Sequence, residues 1–484
     1  METATSDSAP TSPSQRVAVI GGGITGLAAA HRLVELQPNV DVTLLEAGPR
    51  LGGVLETIHR DGYLVEGGAD NWITNVPWAT DLCNRIGMAD QLVETNATCR
   101  GAFVIRRGKL RKIPRGFVVM APSRIWPIVT TRILSPWGKL RLACETFVSK
   151  RTDEADESLA SFVKRRLGRE TYDRLVQPLI GGIYTGDPEL LSLRSTMRRF
   201  QDMEREHGSL TRAIRLQNKT ESTASDSGAR YSMFVAPRDG LSSLIDALSA
   251  QLPANSVQLG SRVSSIVRNG TQWNVQTTNN ATAGAPFDAV ILATSAHAAA
   301  KLLSKLDSNL ADELDAIPHA SCSIVSLGYR REQISHPLDG FGFVVPRIEK
   351  RKILSASFSS VKYPGRAPDR HVLVRVFVGG TFQSELADLP DDALQQSAAT
   401  DLGDLLGIRG EPQLVEISRC PMAMPQYYVG HEVRVNRIED HLARQDRLQL
   451  AGNAFHGVGI PHCINSGQQA AERTLAEMNL AEIG

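Results

Sequence analysis

The feature that most constrains this chain lies near its start. There the β-branched run RVAVI (Arg16 to Ile20) meets GGGITG and then LAAAHRLVEL, whose apolar residues recur at helical spacing. That order reads as strand, tight turn and helix. Gly21, Gly23 and Gly26 stand in GxGxxG spacing, with Gly22, Ile24 and Thr25 between them. One glycine serves the turn, one lets a pyrophosphate approach the backbone, and one lets helix and strand pack closely, with the phosphates over the helix N-terminus. Glycine-rich turns are common, so the spacing alone decides little. A second strand, VDVTLLE, ends at Glu46, twenty residues past Gly26, where an acid is expected to take ribose hydroxyls. A solvated strand-end carboxylate is the bland alternative, and the context disfavours it. The expectation is an α/β protein built on a Rossmann-like dinucleotide fold.

At 484 residues the chain exceeds the size at which a single core usually splits, so two or three joined domains are expected. Its 53 Lys and Arg nearly cancel 52 Asp and Glu, which argues against a surface given over to nucleic acid. The six cysteines, at positions 83, 99, 144, 322, 420 and 463, show no CxxC or zinc spacing, and the 11 histidines form no metal pattern. Free thiols in a reducing cytoplasm and no metal are expected. Residues 1–15 lack the basic and apolar regions of a signal peptide and read as a disordered polar tail. The best apolar candidate for a span, around Gly116 to Leu134, is broken by Pro122, Arg124, Pro127 and Arg132. A soluble or membrane-peripheral protein follows.

After Glu46 and Ala47 come Arg50, Gly52, Gly53 and Val54 in AGPRLGGV. This second glycine pair resembles the extension in FAD enzymes of the glutathione-reductase and amine-oxidase kind, and an NAD site does not need it. VEGGADNW supplies Gly68, Ala69, Asp70 and Asn71, where a backbone can pass close to a flavin; a plain turn is the alternative. Near the other end, RLQLAGNAFHGVGIPHCINSG reads as buried strand, glycine-rich loop and helix, with Pro461 in the first turn. In FAD enzymes of this architecture that helix points its N-terminus at the isoalloxazine, which makes Gly452, Asn453, Val458, Gly459 and Ile460 a second cofactor cluster. Between the two ends, Asn269-Gly270 marks a hairpin and FDAVILATSA another apolar strand. This order resembles a completed FAD domain in which the backbone at Val263 pairs with adenine.

The middle of the chain is more specific. QPLIGGIYTGDPELLSLRSTMRRFQDMEREHGSL, FVIRRGKLRKIP, GFGFVVP, ILSASFSSVKYPGRAPDR and RVFVGG, with AGNAFHGVGIPHCINSG, resemble in order the oxygen-dependent protoporphyrinogen and coproporphyrinogen oxidases of haem biosynthesis. The resemblance implies Gly182 beside the flavin face, and Val344 and Phe377 as a clamp on the tetrapyrrole. Ordinary strand core is the alternative for that pair. Family members acting on protoporphyrinogen, notably in plants, place an arginine just before the Phe-Val of FVIRRGK; here Ala102 stands there and Arg100 precedes it by two. Whether Arg100 or one of Arg106, Arg107, Lys109 and Arg111 pairs with a substrate propionate stays open, as does a solvated basic hairpin. The basic stretch leans weakly toward the four carboxylates of coproporphyrinogen III over the two of protoporphyrinogen IX.

The resemblance further implies loss of six hydrogens in three two-electron steps, each a hydride passed to flavin N5, with dioxygen then giving hydrogen peroxide. No catalytic side chain is assigned, because the flavin carries the chemistry and the protein positions the ring. The expected architecture is an FAD domain from residues 16–94, 211–317 and 426–484, a helical insert over 95–210, and a β-rich substrate domain over 318–425. Contact of the insert with a membrane surface, and a homodimer, are left open. Two rivals remain: a flavin amine oxidase or carotenoid desaturase on the same scaffold, and a non-enzymatic carrier like the GDP-dissociation inhibitors.

Overall fold

The computed structural model describes residues 15–99, 101–114, 116–118, 120–122, 126–221, 234–278 and 286–480. Five strands, in the order Val257–Gln258, Asp41–Leu45, Arg16–Ile20, Ala289–Leu292 and Leu448–Leu450, form one wholly parallel sheet. Its inner strands are buried on both faces, which is why they read as continuous Val, Ile, Leu and Ala rather than as alternating patterns. The helices Ile24–Leu36 and Ile460–Leu480 cover one face and touch at Gly467, where any Cβ would come within 2.2 Å of the Thr25 carbonyl oxygen. The Asn269-Gly270 turn joins Val263–Asn269 to Gln272–Thr277 as an antiparallel hairpin, with Gly270 at φ +61°.

A second sheet has seven strands, in the order Leu414–Pro425, His319–Arg330, His371–Gly379, Ile353–Phe358, Gly342–Val344, Phe103–Arg106 and Lys109–Lys112. Residues 103–112, expected within a helical insert, are thus an edge hairpin whose first strand runs parallel to Gly342–Val344. Cross-strand partners share a face, so the register sorts this sheet into two chemistries. One face is Val325, Leu327, Val374, Val376, Val378, Ala356 and Phe358, packed on Leu394, Ala398 and Leu402 of the helix Asp391–Leu406. On the other, Val344 pairs with Ser355, Ser355 with Phe377 and Phe377 with Ile324, a single row across four strands. Arg375 sits two residues along from Phe377 on that same face.

Helices from Pro136–Ala143 to Leu210–Glu221 make the helical part, around Phe162, Val163, Leu175, Val176, Ile180 and Phe200. At its centre Arg166 and Glu145 are both fully buried and paired. Glu145 also accepts from the Ser209 hydroxyl at 2.7 Å and from the amides of Leu210 and Thr211 at 3.0 and 3.2 Å. It therefore satisfies the free donors at the start of the last helix. Burial opposes its charge, but the Ser209 and Arg166 hydrogen bonds outweigh that and hold the carboxyl below the usual range. Among the described residues no helix is long and apolar enough to cross a membrane.

Removing the Glu145 charge leaves the fully buried Arg166 with Glu204, at 3.2 Å, as its remaining carboxylate among the described residues, at a cost of up to about 3 kcal/mol. Glu145→Gln is expected to lower the thermal midpoint by several degrees. Arg169→Ala, which breaks an i,i+4 pair at an 86% exposed side chain, is expected to leave it unchanged. Equal midpoints for the two variants would contradict this account of the helical core.

Candidate functional site

The turn after the first strand is held by contacts that only glycine permits. A Cβ at Gly21, where φ is +110°, would lie 2.5 Å from the Ala293 carbonyl oxygen, and one at Gly26 would lie 1.9 Å from the Gly21 carbonyl oxygen. At Gly23 the same construction meets nothing within 4 Å, and at Gly53 it meets only the Gly23 Cα, at 3.5 Å. The helix that begins at Ile24 has no side-chain cap and no acid in its first turn. An open gap at an uncapped helix N-terminus fits an anionic pyrophosphate.

Glu46 also braces the turn. Its Oε2 accepts from the Gly22 amide and its Oε1 from the Gly48 amide, both at 2.6 Å, so it shapes the loop. Ala47 beside it is exposed. Arg50 likewise turns inward on its own loop, donating to the carbonyls of Leu51, Gly53 and Leu55 and pairing with Glu56 at 3.0 Å. Gly52 donates to the Gly22 carbonyl at 2.8 Å, and Val54 is 53% exposed. The Glu46 carbonyl accepts from Ser261, which sets Val263 two residues beyond the same loop.

The C-terminal cluster closes on the same wall. Gly452, at φ +144°, lies over the Thr294 carbonyl, next to the Ala293 that crowds Gly21, and its amide donates to Ser466. Asn453 donates to the Ala423 carbonyl at 3.1 Å. Tyr427, which carries no local sequence signal, holds this loop: its hydroxyl donates to the Asn453 carbonyl and accepts from the Gly457 amide at 2.9 Å. His431 stacks on the Tyr427 ring at 4.0 Å and bonds the Phe455 carbonyl at 3.1 Å. Val458 and Gly459 then lead into the helix at the buried Ile460.

Between these loops and the seven-stranded sheet lies an ionic seam. Gly68 admits no side chain, since a Cβ would lie 2.0 Å from the Val54 carbonyl oxygen. Its own carbonyl accepts from Arg375. Ala69 is exposed, whereas Asp70, expected beside the flavin, is bound by Lys362 at 3.2 Å and Arg375 at 3.4 Å and accepts from Asn71. Burial opposes the Asp70 charge, and Lys362 first, then Arg375, overcome it and hold the carboxyl below its usual range. The Arg375 guanidinium lies 5.4 Å from the Phe377 ring centroid. Facing the row of Phe377, Ser355 and Val344 is Gly182: a Cβ there would press on Val344 Cγ1 at 3.3 Å and reach Ser355 at 3.9 Å. The structure thus sets Gly182 against Val344 and Ser355, with Phe377 one strand further along the row, while Arg100 lies outside the described residues. A π-helical turn, Tyr172–Val176, precedes the helix Gln177–Tyr184 that carries Gly182.

Because a methyl at Gly23 touches no protein atom, Gly23→Ala is expected to fold as the parent does, while FAD affinity falls about tenfold or more through overpacking of the phosphate gap. Flavin fluorescence titration and circular dichroism of the cofactor-free protein would check this. Unchanged FAD affinity would remove the pyrophosphate from that gap.

Comparisons with known proteins agree with this geometry. Residues 24–475 match the family described as flavin containing amine oxidoreductase. A coproporphyrinogen III oxidase of Propionibacterium freudenreichii subsp. freudenreichii is 34% identical, the match covering 94% of this chain and 90% of that one. One from Bacillus subtilis is 32% identical over 466 residues, covering 95% of this chain and 98% of the relative. A solved structure from Exiguobacterium sp. 255-15, provisionally named a protoporphyrinogen oxidase, superposes with a TM-score of 0.85 at 32% identity, covering 96% of this chain and 99% of that one. A glycine turn with an open phosphate gap, a C-terminal loop closing on the same wall and these full-length matches place the chain in the family of flavin-containing amine oxidoreductases.

Proposed function

We propose that this chain is an FAD-dependent oxidase that converts coproporphyrinogen III to coproporphyrin III, with dioxygen reduced to hydrogen peroxide. The observation that carries the reading is the row of Val344, Ser355 and Phe377 facing Gly182. An aliphatic and an aromatic side chain flank a position where the opposing helix carries no side chain. Gly182 itself is exposed although it packs against Val344, and Val344 and Phe377 are only partly buried, so this wall is open to a large, flat ring. No Asp, Glu or His stands in the row, which suits a reaction in which the protein orients the ring and excludes water. FAD, when bound, supplies the two-electron acceptor that three successive dehydrogenations need. Gly21, Gly22, Gly23, Ile24, Thr25, Gly26, Gly52 and Gly53 would hold its phosphates, Glu46 and Val263 its adenosine half, and Gly68, Gly452, Asn453, Val458 and Gly459 its ring end. The names of the two curated relatives support the four-carboxylate substrate.

Aerobic incubation of the FAD-loaded protein with each porphyrinogen, against a heat-killed control, tests this. Coproporphyrinogen III is expected to be oxidised faster than protoporphyrinogen IX, with three dioxygen consumed per porphyrin. Oxidation of neither above control, with FAD bound, would hand the reading to the amine-oxidase alternative.

Exposed apolar side chains support a further expectation, peripheral membrane contact. Trp137 and Leu140, three apart on the helix Pro136–Ala143, are 78% and 55% exposed, with Phe147 in the 3-10 turn that follows at 86% and Trp126 at 74%. Flotation with anionic liposomes is expected to carry the parent protein but not a variant with Trp126, Trp137 and Phe147 all changed to Ser. Equal flotation of both would remove this surface from consideration.

A further inference from the structure

The six cysteines are all free thiols, and two of them stand opposite each other. Cys322 on the strand His319–Arg330 and Cys420 on Leu414–Pro425 are direct cross-strand partners in an antiparallel pair. Such partners hold their Cα atoms roughly 4.5 to 5.5 Å apart with both side chains on one face. A disulfide spans Cα separations of roughly 4.4 to 6.8 Å, so this pair can be bridged without moving either strand. The register is also secure: the shift after Ala320 ends at Cys322, and from there the partners run unbroken to Gly328 and Leu414.

Their face is the one that carries the row of Val344, Ser355 and Phe377. Cys322 stands two residues before Ile324, which pairs with Phe377 on one side and with Ser418 on the other, and Cys420 stands two residues after Ser418. The Cys420 Sγ lies 3.8 Å from the Gly67 carbonyl oxygen, beside the Gly68 that bonds Arg375. Cys322 is buried and Cys420 only partly so, which gives the two thiols different access to a small oxidant. Burial pushes the Cys322 thiol up to about 12 and raises Cys420 as well, and in both cases Arg375 opposes the shift. The two sulfurs therefore rest protonated beside one cation, which favours the thiolate that either must become to react.

We propose that Cys322 and Cys420 are a redox-active dithiol that hydrogen peroxide closes into a cross-strand disulfide. The Cys420 sulfur attacks one peroxide oxygen, the O–O bond breaks, and a sulfenic acid and one water result. The Cys322 sulfur then attacks that sulfenic sulfur, the S–O bond breaks, and a second water leaves with the remaining thiol proton. Two electrons pass from the sulfurs to the peroxide. Peroxide is the product of the oxidase reaction, so its source rests on the function proposed above, whereas the bond itself does not.

The first arm of the test needs no porphyrinogen. The reduced, FAD-loaded full chain is treated with hydrogen peroxide, its free thiols are alkylated, and peptides are mapped by mass spectrometry without reductant. A peptide pair joined through Cys322 and Cys420, lighter by two hydrogens and separated by dithiothreitol, is the expected result. Cys420→Ser is expected to lack the joined pair, and the double variant Cys99→Ser, Cys144→Ser, which removes two cysteines outside the pair, is expected to keep it. Both thiols still alkylatable in the parent, or a bridge to any other cysteine, overturns the proposal. In the second arm the same bond is expected to accumulate during aerobic turnover of coproporphyrinogen III and to be suppressed by catalase. Turnover that leaves the pair reduced overturns the claim that the protein's own product sets it. If neither porphyrinogen is oxidised, the functional reading has failed, and the first arm still decides whether the dithiol exists.

Discussion

The arrangement depends on one buried carboxylate. Asp70 extends from the loop after the strand Tyr63–Glu66 and meets two cations of the seven-stranded sheet region, Lys362 and Arg375. Arg375 is 1% exposed, and its guanidinium also bonds the Gly68 carbonyl. Each of these charges is costly alone in the interior, and each is tolerated because the others are present. Their pairing fixes the face bearing Phe377, Ser355 and Val344 toward the loops that close on the glycine turn. A sheet rotated away from this contact would leave the buried Arg375 and the partly buried Lys362 and Asp70 without these partners.

Within the cofactor fold, the Ala293–Thr294 backbone has a comparable role. Gly21 approaches it from one end of the chain and Gly452 from the other, so it aligns two loops that no local sequence signal connects. The glycines there are demanded by space: a Cβ at Gly21 would overlap the Ala293 carbonyl, whereas the gap at Gly23 is left to something other than protein. Tyr427 sets the second loop by bridging Asn453 and Gly457 through one hydroxyl. The glycine loops are therefore shaped by backbone and small residues, while the row of Val344, Ser355 and Phe377 is set by a strand register.

What the sequence discloses follows the range of each interaction. The glycine turn, the parallel strands and the Asn269-Gly270 hairpin are legible because their signals lie within a few residues. Gly182, Val344 and Phe377 come from a family resemblance; register sets Val344 and Phe377 in one row with Ser355 between them, and Gly182 packs against Val344 and Ser355. Arg375 was missed because an arginine alternating with Val374 and Val376 reads as a solvent-facing strand position; only the loop from a distant segment buries it. That Asp70 pairs with Lys362 and Arg375, and that Glu46 bonds two loop amides, is equally illegible in the sequence, because their partners are set by the fold. Residues 103–112 joined the sheet and not the insert because parallel pairing with Gly342–Val344 carries no local signature. Tyr427 escaped notice for the same reason, since its partners are remote in sequence.

The most direct test of the central claim is a crystal structure of the chain with FAD and coproporphyrin III bound. The account predicts the pyrophosphate over Gly23 and the tetrapyrrole between Val344 and Phe377, with Gly182 against its edge. A porphyrin seated elsewhere, with that slot filled by side chains, would contradict it.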